Sequence, residues 1–260
     1  MGILRGKRIL VTGVLTDDSL AFATAHTAMS EGAEILLSGF GRGLSLTRRT
    51  ARKLPAEPDV LEIDVTDVGQ LAAAAADVSA RWGRLDGLLH AIGFAPPSCL
   101  GSGMFAAEWD DVGVALQVSA YSLKSLVAAF LPLLEVAGAD GGASVVALDF
   151  DATVAWPAYD WMGVAKAGLE SASRYLAREL GPKKIRVNLV SAGPLRTMAA
   201  KSIPGFSKFE DAWAERAPLG WDNADIEPVA RSSVALLSDW FPATTGEIVH
   251  VDGGFHAMGV

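Results

Sequence analysis

The chain has 260 residues with 30 acidic and 22 basic side chains, and this acidic balance argues against nucleic acid or an anionic membrane surface as the main partner. Half of the residues are hydrophobic and 20% are charged, so we expect one globular domain over residues 1–260, although length alone also allows two small domains. Cys99 is the only cysteine, which excludes a disulfide framework and a cysteine-based metal site; we expect no metal.

Short aliphatic runs alternate with helical patterns along the chain. The predicted strands are 8–12, 34–38, 60–64, 86–91, 143–149, 185–191 and 247–252. The predicted helices are 19–31, 67–82, 108–136, 160–180 and 227–239. The strands are continuously apolar, as strands buried on both faces are, so the alternation predicts an α/β fold with a doubly wound (Rossmann) seven-stranded parallel sheet and helices on both faces. The segment 194–221 interrupts the alternation and is predicted to be one elaborated loop.

The N-terminal residues run into the first predicted strand without a signal-type apolar region. No apolar stretch approaches the roughly 18 residues that a membrane span requires. We therefore expect a cytoplasmic protein without a membrane span.

The turn after the first strand has features of a phosphate-binding site. Gly13 ends the strand, and Ser19 is placed to cap the next helix, whose N-terminal N–H groups suit a pyrophosphate. The usual dinucleotide fingerprint has three glycines, whereas this turn has one, so a plain strand–loop–helix connection remains the alternative. The carboxylates of Asp17 and Asp18 would repel a phosphate unless both point outward.

Further dinucleotide signals follow the next three strands. Phe40 follows the second strand and could stack on adenine, whereas Arg42 could accept a 2′-phosphate, which keeps NADP open. Asp64 could bind the adenine amino group, with Val65 against the ring. After the fourth strand the backbone could approach a ribose closely at Ala91, Ile92 and Gly93. Each signal alone fits ordinary turn chemistry, but ligands of open α/β sheets bind at the carboxyl ends of strands, where all of them lie.

Tyr159 and Lys166 lie seven positions apart at the start of the predicted helix 160–180. This spacing is about two turns, so both side chains share one face roughly 10 Å apart, too far for a direct contact. The pair therefore predicts a ligand of that size between the two side chains, although a lone pair of this kind is more often a core-edge tyrosine and a solvated lysine. Tyr121 and Lys124 form a competing pair that we interpret as structural.

Several motifs together resemble a known family. These are the Gly13–Ser19–Ala21 set, "DVT" at 64–66, "AIG" at 91–93, Tyr-x6-Lys at 159–166, "GPLRT" at 193–197 and "TTGEIVHVDGG" at 244–254. Over nearly the whole chain they resemble the enoyl-acyl-carrier-protein reductases of the short-chain dehydrogenase/reductase superfamily, most closely the actinobacterial branch that includes the mycobacterial isoniazid target. Ordinary members of the superfamily use Tyr-x3-Lys, and the residue at that position here is Gly163.

The resemblance implies NADH-dependent reduction of a trans-2-enoyl thioester on an acyl carrier protein, by a homotetramer. Tyr159, Lys166 and Phe150 would form the catalytic end, with Lys166 on the nicotinamide ribose and Tyr159 at the acyl group. The other cofactor contacts implied are Gly13, Ser19, Leu20, Phe40, Asp64, Val65, Ala91, Ile92, Gly93, Leu195 and Thr197. The substrate contacts implied are Tyr159, Met162, Trp156, Met198, Ile203 and Phe206. The segment 194–221 would be a mobile lid that also carries Phe209 and Trp213.

Two other functions remain open at this point. Residues 145–158 contain no serine, which argues against carbonyl reduction because the ketone reductases of the superfamily polarise their substrate with one. A divergent reductase of a keto or quinone substrate is nevertheless one alternative, and a non-catalytic nucleotide-binding sensor is another. For an acidic carrier protein the chain needs a local basic patch, and the candidates are Arg196, Lys201 and Lys208.

Overall fold

The computed structural model describes residues 2–198 and 200–259. The strands in this part of the chain are β1 Arg8–Val11, β2 Glu34–Gly39, β3 Val60–Glu62, β4 Gly87–His90, β5 Ala143–Asp149, β6 Ile185–Ala192 and β7 Ile248–Val251. The α-helices are α1 Leu20–Ser30, α2 Gly41–Ala51, α3 Val68–Trp82, α4 Trp109–Leu116, α5 Ser122–Ala139, α6 Asp160–Leu180, α7 Ser207–Arg216 and α8 Glu227–Leu237.

The strands form one seven-stranded sheet in the order β3-β2-β1-β4-β5-β6-β7. Every neighbouring pair is parallel, which confirms the predicted doubly wound fold. The chain order reverses between β1 and β4, and the crevice beyond the carboxyl ends of strands at such a reversal is where ligands of open α/β sheets bind. The sheet therefore places the ends of β1, β4, β5 and β6 around one site.

Two hydrophobic layers cover the sheet. On one face, α3, α5 and α6 contribute Leu71, Phe130 and Leu169 to a core cluster with the strands. On the other face, α1 and α8 contribute Ala25 and Val234 to a second cluster. The prediction of helices on both faces is thus confirmed. Because both faces of the sheet are covered, its strands are apolar on both faces and do not alternate with polar residues.

Three helical features differ from the sequence-based prediction. Helix α2 was not predicted, because its buried residues are Thr47, Thr50 and Ala51 rather than a periodic apolar set. The predicted helix 108–136 is divided into α4 and α5 by a π-turn at Gln117–Tyr121, and the segment 194–221, predicted as a loop, contains α7. A π-turn inside a helix leaves little trace in apolar periodicity, and such turns often occur at functional sites.

One helical stretch in the described residues, Trp109–Ala139, is long and apolar enough to cross a membrane by length and composition alone. This corrects the expectation that no apolar stretch approaches that length. Leu123, Leu126 and Phe130 of this stretch are fully buried against the sheet. A helix in the core of a globular protein meets the same criterion, and 44% of the apolar window of this stretch is buried.

Candidate active site

Gly13 holds the turn after β1 against the end of β4. Its φ is +82°, and a Cβ atom built on it would lie 1.9 Å from the carbonyl oxygen of Ala91. Thr12 reinforces the same junction, since its hydroxyl donates to Leu89 O and accepts from Ala91 N, each at 3.0 Å. Glycine is therefore needed here because of positive φ and close strand packing, whatever the loop binds.

Ser19 caps α1. Its Oγ accepts from Phe22 N at 3.1 Å and donates to Thr16 O at 2.8 Å, so the capping function considered from the sequence is present. The carboxylate of Asp17 forms a 2.6 Å ion pair with Lys53, and this hydrogen bond lowers the pKa of Asp17. Asp18 accepts a short hydrogen bond from Thr16. Both carboxylates thus have partners near the N-terminus of α1, which begins at Leu20.

The residues after β2 and β3 lie at neighbouring strand ends, because β2 and β3 are paired. Phe40 is 53% exposed, and Arg42 is exposed at the start of α2. The Asp64 carboxylate accepts from Thr66 N at 2.9 Å and from Thr66 Oγ1 at 2.7 Å. Both bonds end on Oδ1, as is ordinary in a turn, so Oδ2 of Asp64 takes no part in them. The next residue, Val65, is buried.

Tyr159 and Lys166 are both buried at the start of α6, with exposures of 6% and 7%. The residues flanking the tyrosine have positive φ, 58° at Ala158 and 41° at Asp160, a conformation that costs energy in non-glycine residues. Asp160 is fixed in place because its Oδ2 accepts from the backbone N–H groups of Gly101 at 2.8 Å and Gly103 at 2.9 Å. The backbone strain thus lies at the two neighbours of Tyr159, while Tyr159 itself has ordinary helical angles.

The Lys166 ammonium lies beside a buried carboxylate that the sequence analysis missed. Its Nζ donates to Leu148 O at 2.9 Å and lies 3.9 Å from Asp149 Oδ1. The Asp149 side chain is fully buried at the end of β5, and neither carboxylate oxygen has a hydrogen-bond partner among the described residues. The sequence signal was an acidic residue closing the apolar run 143–149 directly before Phe150, a position that is costly for a charge unless a cation lies nearby.

Burial governs the charges of this group. Burial raises the pKa of Asp149 to about 7, and the positive charge of Lys166 opposes the rise. Burial also lowers the pKa of Lys166, against the attraction of Asp149 and Glu170. His90, whose Nε2 lies 2.7 Å from Ser122 Oγ, has its pKa lowered to about 3 by burial and then by the charge of Lys166. The imidazole is therefore neutral at physiological pH.

These pKa shifts predict how Asp149→Asn changes stability with pH. A carboxyl whose pKa is raised on folding, here from 3.8 to about 7, destabilises the fold progressively as pH rises through that window. Asparagine mimics the protonated carboxyl, so we expect the variant to match the wild type near pH 4 and to be more stable near pH 8, by on the order of a few kcal/mol.

The measurement is thermal unfolding of both proteins across this pH range. The difference between the two curves removes the opposite contribution of His90, whose lowered pKa reduces stability as pH falls below 6.5. Equal melting temperatures for the two proteins at pH 8 would show that Asp149 does not carry a burial penalty.

Five rings, which we call the aromatic cluster, adjoin Tyr159. Its members are Phe150, Trp156, Phe209, Trp213 and Phe255. Phe150 meets the Tyr159 ring edge-on at a centroid distance of 5.2 Å, and Trp213 stacks on Phe255 at 3.7 Å. Phe255 was not identified from the sequence, because it lies in the C-terminal segment more than forty positions beyond Trp213.

The remaining predicted substrate residues have different surroundings. Ile203 and Phe206 pack against the aromatic cluster. Met162 faces Gly93, where its Cε would lie 3.3 Å from a Cβ atom at the glycine. Met198, by contrast, is 45% exposed.

The segment "GPLRT" connects β6 to the predicted lid. Gly193 leaves room for two indoles, since a Cβ atom there would lie 2.8 Å from Trp213 Nε1 and from the Trp221 ring. Leu195 is buried in the second core cluster. Thr197 Oγ1 accepts from Ala200 N at 3.3 Å, as a residue that caps the following helical turn does.

Tyr121, Lys124 and Arg196 all lie at the protein surface. Lys124 Nζ donates to Tyr121 OH at 3.2 Å on the protein surface. Arg196, proposed for a basic patch, is instead paired with Glu210 at 2.6 Å, because α7 brings that carboxylate back over the end of β6. Lys201 and Lys208 are exposed. Within residues 2–198 and 200–259, no group of three potential metal ligands is found.

Comparison with known proteins identifies the relatives of this chain. A family model described as enoyl-(acyl carrier protein) reductase matches residues 13–256. The chain is 45% identical to the enoyl-acyl-carrier-protein reductase (NADH) of Mycolicibacterium smegmatis and 42% identical to that of Mycobacterium avium, in each case over 97% of both chains. It is also 36% identical to the Aquifex aeolicus enzyme of the same name, over 100% of this chain and 95% of the relative.

Proposed function

The chain belongs to the enoyl-acyl-carrier-protein reductases of the short-chain dehydrogenase/reductase superfamily, and from this premise we propose that it reduces trans-2-enoyl thioesters on an acyl carrier protein with NADH, in fatty-acid biosynthesis. The observation that carries the proposal is the 45% identity to an NADH-dependent reductase over 97% of both chains. The buried pair of Tyr159 and Lys166 at the carboxyl edge of the sheet also supports it, because these are the side chains to which we assign the reaction.

The residues at this edge fit a nicotinamide dinucleotide. Among the described residues, Lys166 Nζ makes one hydrogen bond, of 2.9 Å, to Leu148 O, and an ammonium has three donor hydrogens, so it can also bind a ribose diol. Phe40 has an exposed ring for adenine, and the N-terminus of α1 beyond Ser19 offers N–H groups to phosphate. Gly93, Leu195 and Thr197 are our further candidates for holding the cofactor. When bound, NADH would supply a hydride to the β-carbon of the enoyl thioester, and the resulting enolate would take up a proton at its α-carbon from water or from Tyr159.

We assign Tyr159 to the thioester oxygen of the substrate. Negative charge moves onto this oxygen as the β-carbon accepts the hydride, and a phenol O–H donated to it makes a hydrogen bond that strengthens as the charge develops. Burial, and then the charge of Asp149, raises the pKa of Tyr159. The phenol therefore remains a donor throughout the physiological pH range.

We assign the aromatic cluster and segment 194–221 to the acyl chain. The rings of Phe150, Phe209 and Trp213 offer an apolar surface that suits a hydrocarbon. Closure of α7 over such a surface would also exclude water, which strengthens the hydrogen bond from Tyr159. We propose that the segment opens to admit substrate.

The test of the function is NADH oxidation followed by absorbance. We expect turnover with a trans-2-enoyl thioester on coenzyme A or acyl carrier protein, and no turnover with the matching 3-oxoacyl thioester. Turnover of the 3-oxoacyl substrate alone would favour a keto reductase. NADH binding without turnover of either substrate would favour the sensor.

We further propose that the protein is a cytoplasmic homotetramer. Sedimentation velocity measures the assembly, and a monomer at assay concentration would contradict the tetramer.

We also propose that Lys201 and Lys208 contact the acidic carrier protein. The exposed ammonium groups of both lysines on segment 194–221 support this proposal, since surface lysines steer an acidic partner by long-range attraction. We expect Lys201→Glu with Lys208→Glu to raise KM for the carrier-bound substrate but not for the coenzyme A thioester.

A further inference from the structure

The aromatic cluster is the apolar surface next to the reacting end of the site. The Phe150 ring contacts Tyr159, and its centroid also lies 5.1 Å from that of Trp156 and 5.8 Å from that of Phe209. An acyl chain whose thioester oxygen lies at the Tyr159 hydroxyl needs an apolar wall along its length. The cluster supplies that wall, and its rings are already in mutual contact, so the depth of the site depends on which ring can move.

Trp156 lies on a different element from Phe209 and Trp213, two other members of the aromatic cluster. Phe209 and Trp213 lie on α7, whereas Trp156 lies three positions before Tyr159 in the connection from β5 to α6. Its indole N–H donates to the carbonyl oxygen of Asp151, a residue of the same connection. Movement of α7 would therefore carry Phe209 and Trp213 away and leave Trp156 in place.

The ring of Trp156 is also surrounded. Its centroid lies 5.4 Å from Trp213, 6.0 Å from Phe209 and 6.1 Å from Phe255, in addition to the contact with Phe150. Once α7 has moved, the indole keeps its contacts with Phe150 and Phe255 and its hydrogen bond to the Asp151 carbonyl oxygen, and a longer chain would have to break these to displace it. The indole thus behaves as a fixed wall rather than an adaptable one.

We propose that Trp156 sets the upper limit of acyl-chain length, so that short and medium enoyl thioesters are reduced in preference to long ones. The proposal rests on the enoyl reductase function proposed above and specifies its substrate class. Trp156 is a specificity-determining residue in this account, since it bounds the distal acyl chain while Tyr159 acts at the thioester.

The test compares wild type with Trp156→Met and Trp156→Phe. Values of kcat/KM are measured with NADH and the trans-2-butenoyl, octenoyl, dodecenoyl and hexadecenoyl thioesters of coenzyme A. We expect wild type to decline toward hexadecenoyl. Trp156→Met should raise the hexadecenoyl-to-octenoyl ratio by about tenfold or more, since a few methylenes in an apolar pocket discriminate to this extent. The smaller change in Trp156→Phe should give an intermediate ratio, and this variant keeps an aromatic ring if methionine impairs folding.

Trp161→Met is the matched control. Trp161 is likewise half-buried with its indole N–H bonded to a backbone carbonyl, Met104 O at 3.0 Å, but it packs against the separate cluster around Cys99. We expect kcat/KM of the Trp161→Met enzyme to depend on acyl-chain length as it does in the wild type. An unchanged ratio in both Trp156 variants, or an equal change in Trp161→Met, would overturn the proposal.

A binding measurement separates this inference from the proposed function. The affinities of octanoyl and hexadecanoyl coenzyme A for the NAD-loaded protein are measured by calorimetry, with the same ratio shift expected in Trp156→Met. Absence of turnover with every enoyl thioester would contradict the function. The calorimetric ratio then decides on Trp156, since a shift supports the length limit and an unshifted ratio overturns it.

Discussion

Tyr159→Phe is expected to lower kcat/KM for trans-2-enoyl thioesters by about 10²–10³, the usual cost of losing one donor to a developing oxyanion. The ring of Tyr159 packs edge-on against Phe150, and phenylalanine preserves this contact. The loss therefore reports on the hydroxyl alone. NADH affinity should change little, because in our assignment the cofactor ribose is bound by Lys166. Steady-state kinetics and a fluorescence titration with NADH measure the two quantities.

Tyr121→Phe provides the control for that experiment. Like Tyr159→Phe, this substitution removes one tyrosine hydroxyl. The hydroxyl of Tyr121 lies on the protein surface, where it accepts a 3.2 Å hydrogen bond from Lys124. We expect wild-type kinetics. A Tyr159→Phe enzyme that retained full activity would show that another group stabilises the charge on the thioester oxygen, and the assignment of Tyr159 would fail.

The pH dependence offers a second check on the same residue. Because burial and the negative charge of Asp149 raise the pKa of Tyr159, the phenol stays protonated well above neutral pH. The rate should therefore show no loss from ionisation of Tyr159 as pH rises to about 9, below the ordinary tyrosine pKa of about 10. A loss centred below pH 9 in wild type but absent from Tyr159→Phe would mean that the phenol ionises more easily than its burial implies.

The strands and their order along the chain could be predicted because strands buried on both faces are continuously apolar. Helix α2 could not, because it rests on the sheet through Thr47, Thr50 and Ala51, and small or polar buried residues give no apolar period. The same reasoning applies to α7. Its two buried residues, Phe209 and Trp213, lie four positions apart, too few to distinguish a helix from an apolar loop.

The site was predictable where function imposes a short spacing, as between Tyr159 and Lys166. Asp149 was not, since its importance comes from tertiary burial and from a lysine seventeen positions later in the chain. Phe255 was missed for a similar reason, because its stacking on Trp213 brings the C-terminal segment onto α7. Local sequence thus indicated the groups we assign to the chemistry, whereas long-range packing determined their electrostatic and steric surroundings.

Lys166→Met is expected to weaken NADH binding by roughly ten- to a hundredfold, the range for hydrogen bonds made by a charged group. Methionine retains a long apolar stem but has no donor, so the position remains filled while the ammonium is lost. Fluorescence titration with NADH measures the change. Lys124→Met, which removes an exposed ammonium, should leave the affinity unchanged. Unaltered NADH affinity in Lys166→Met, together with a lower kcat, would assign the ammonium to the substrate or to proton delivery instead.

The same substitution should also change how stability depends on pH, through the buried carboxylate of Asp149. Lys166 is the positive charge that holds the pKa of Asp149 down near 7, so its removal raises that pKa further. When the pKa in the folded state is higher, stability continues to fall until a higher pH is reached. Thermal unfolding of Lys166→Met should therefore continue to lose stability above pH 7, where the wild-type contribution of Asp149 has levelled off. Adding Asp149→Asn to Lys166→Met should abolish this extra slope, and a slope that persisted in the double variant would have to originate from another titrating group.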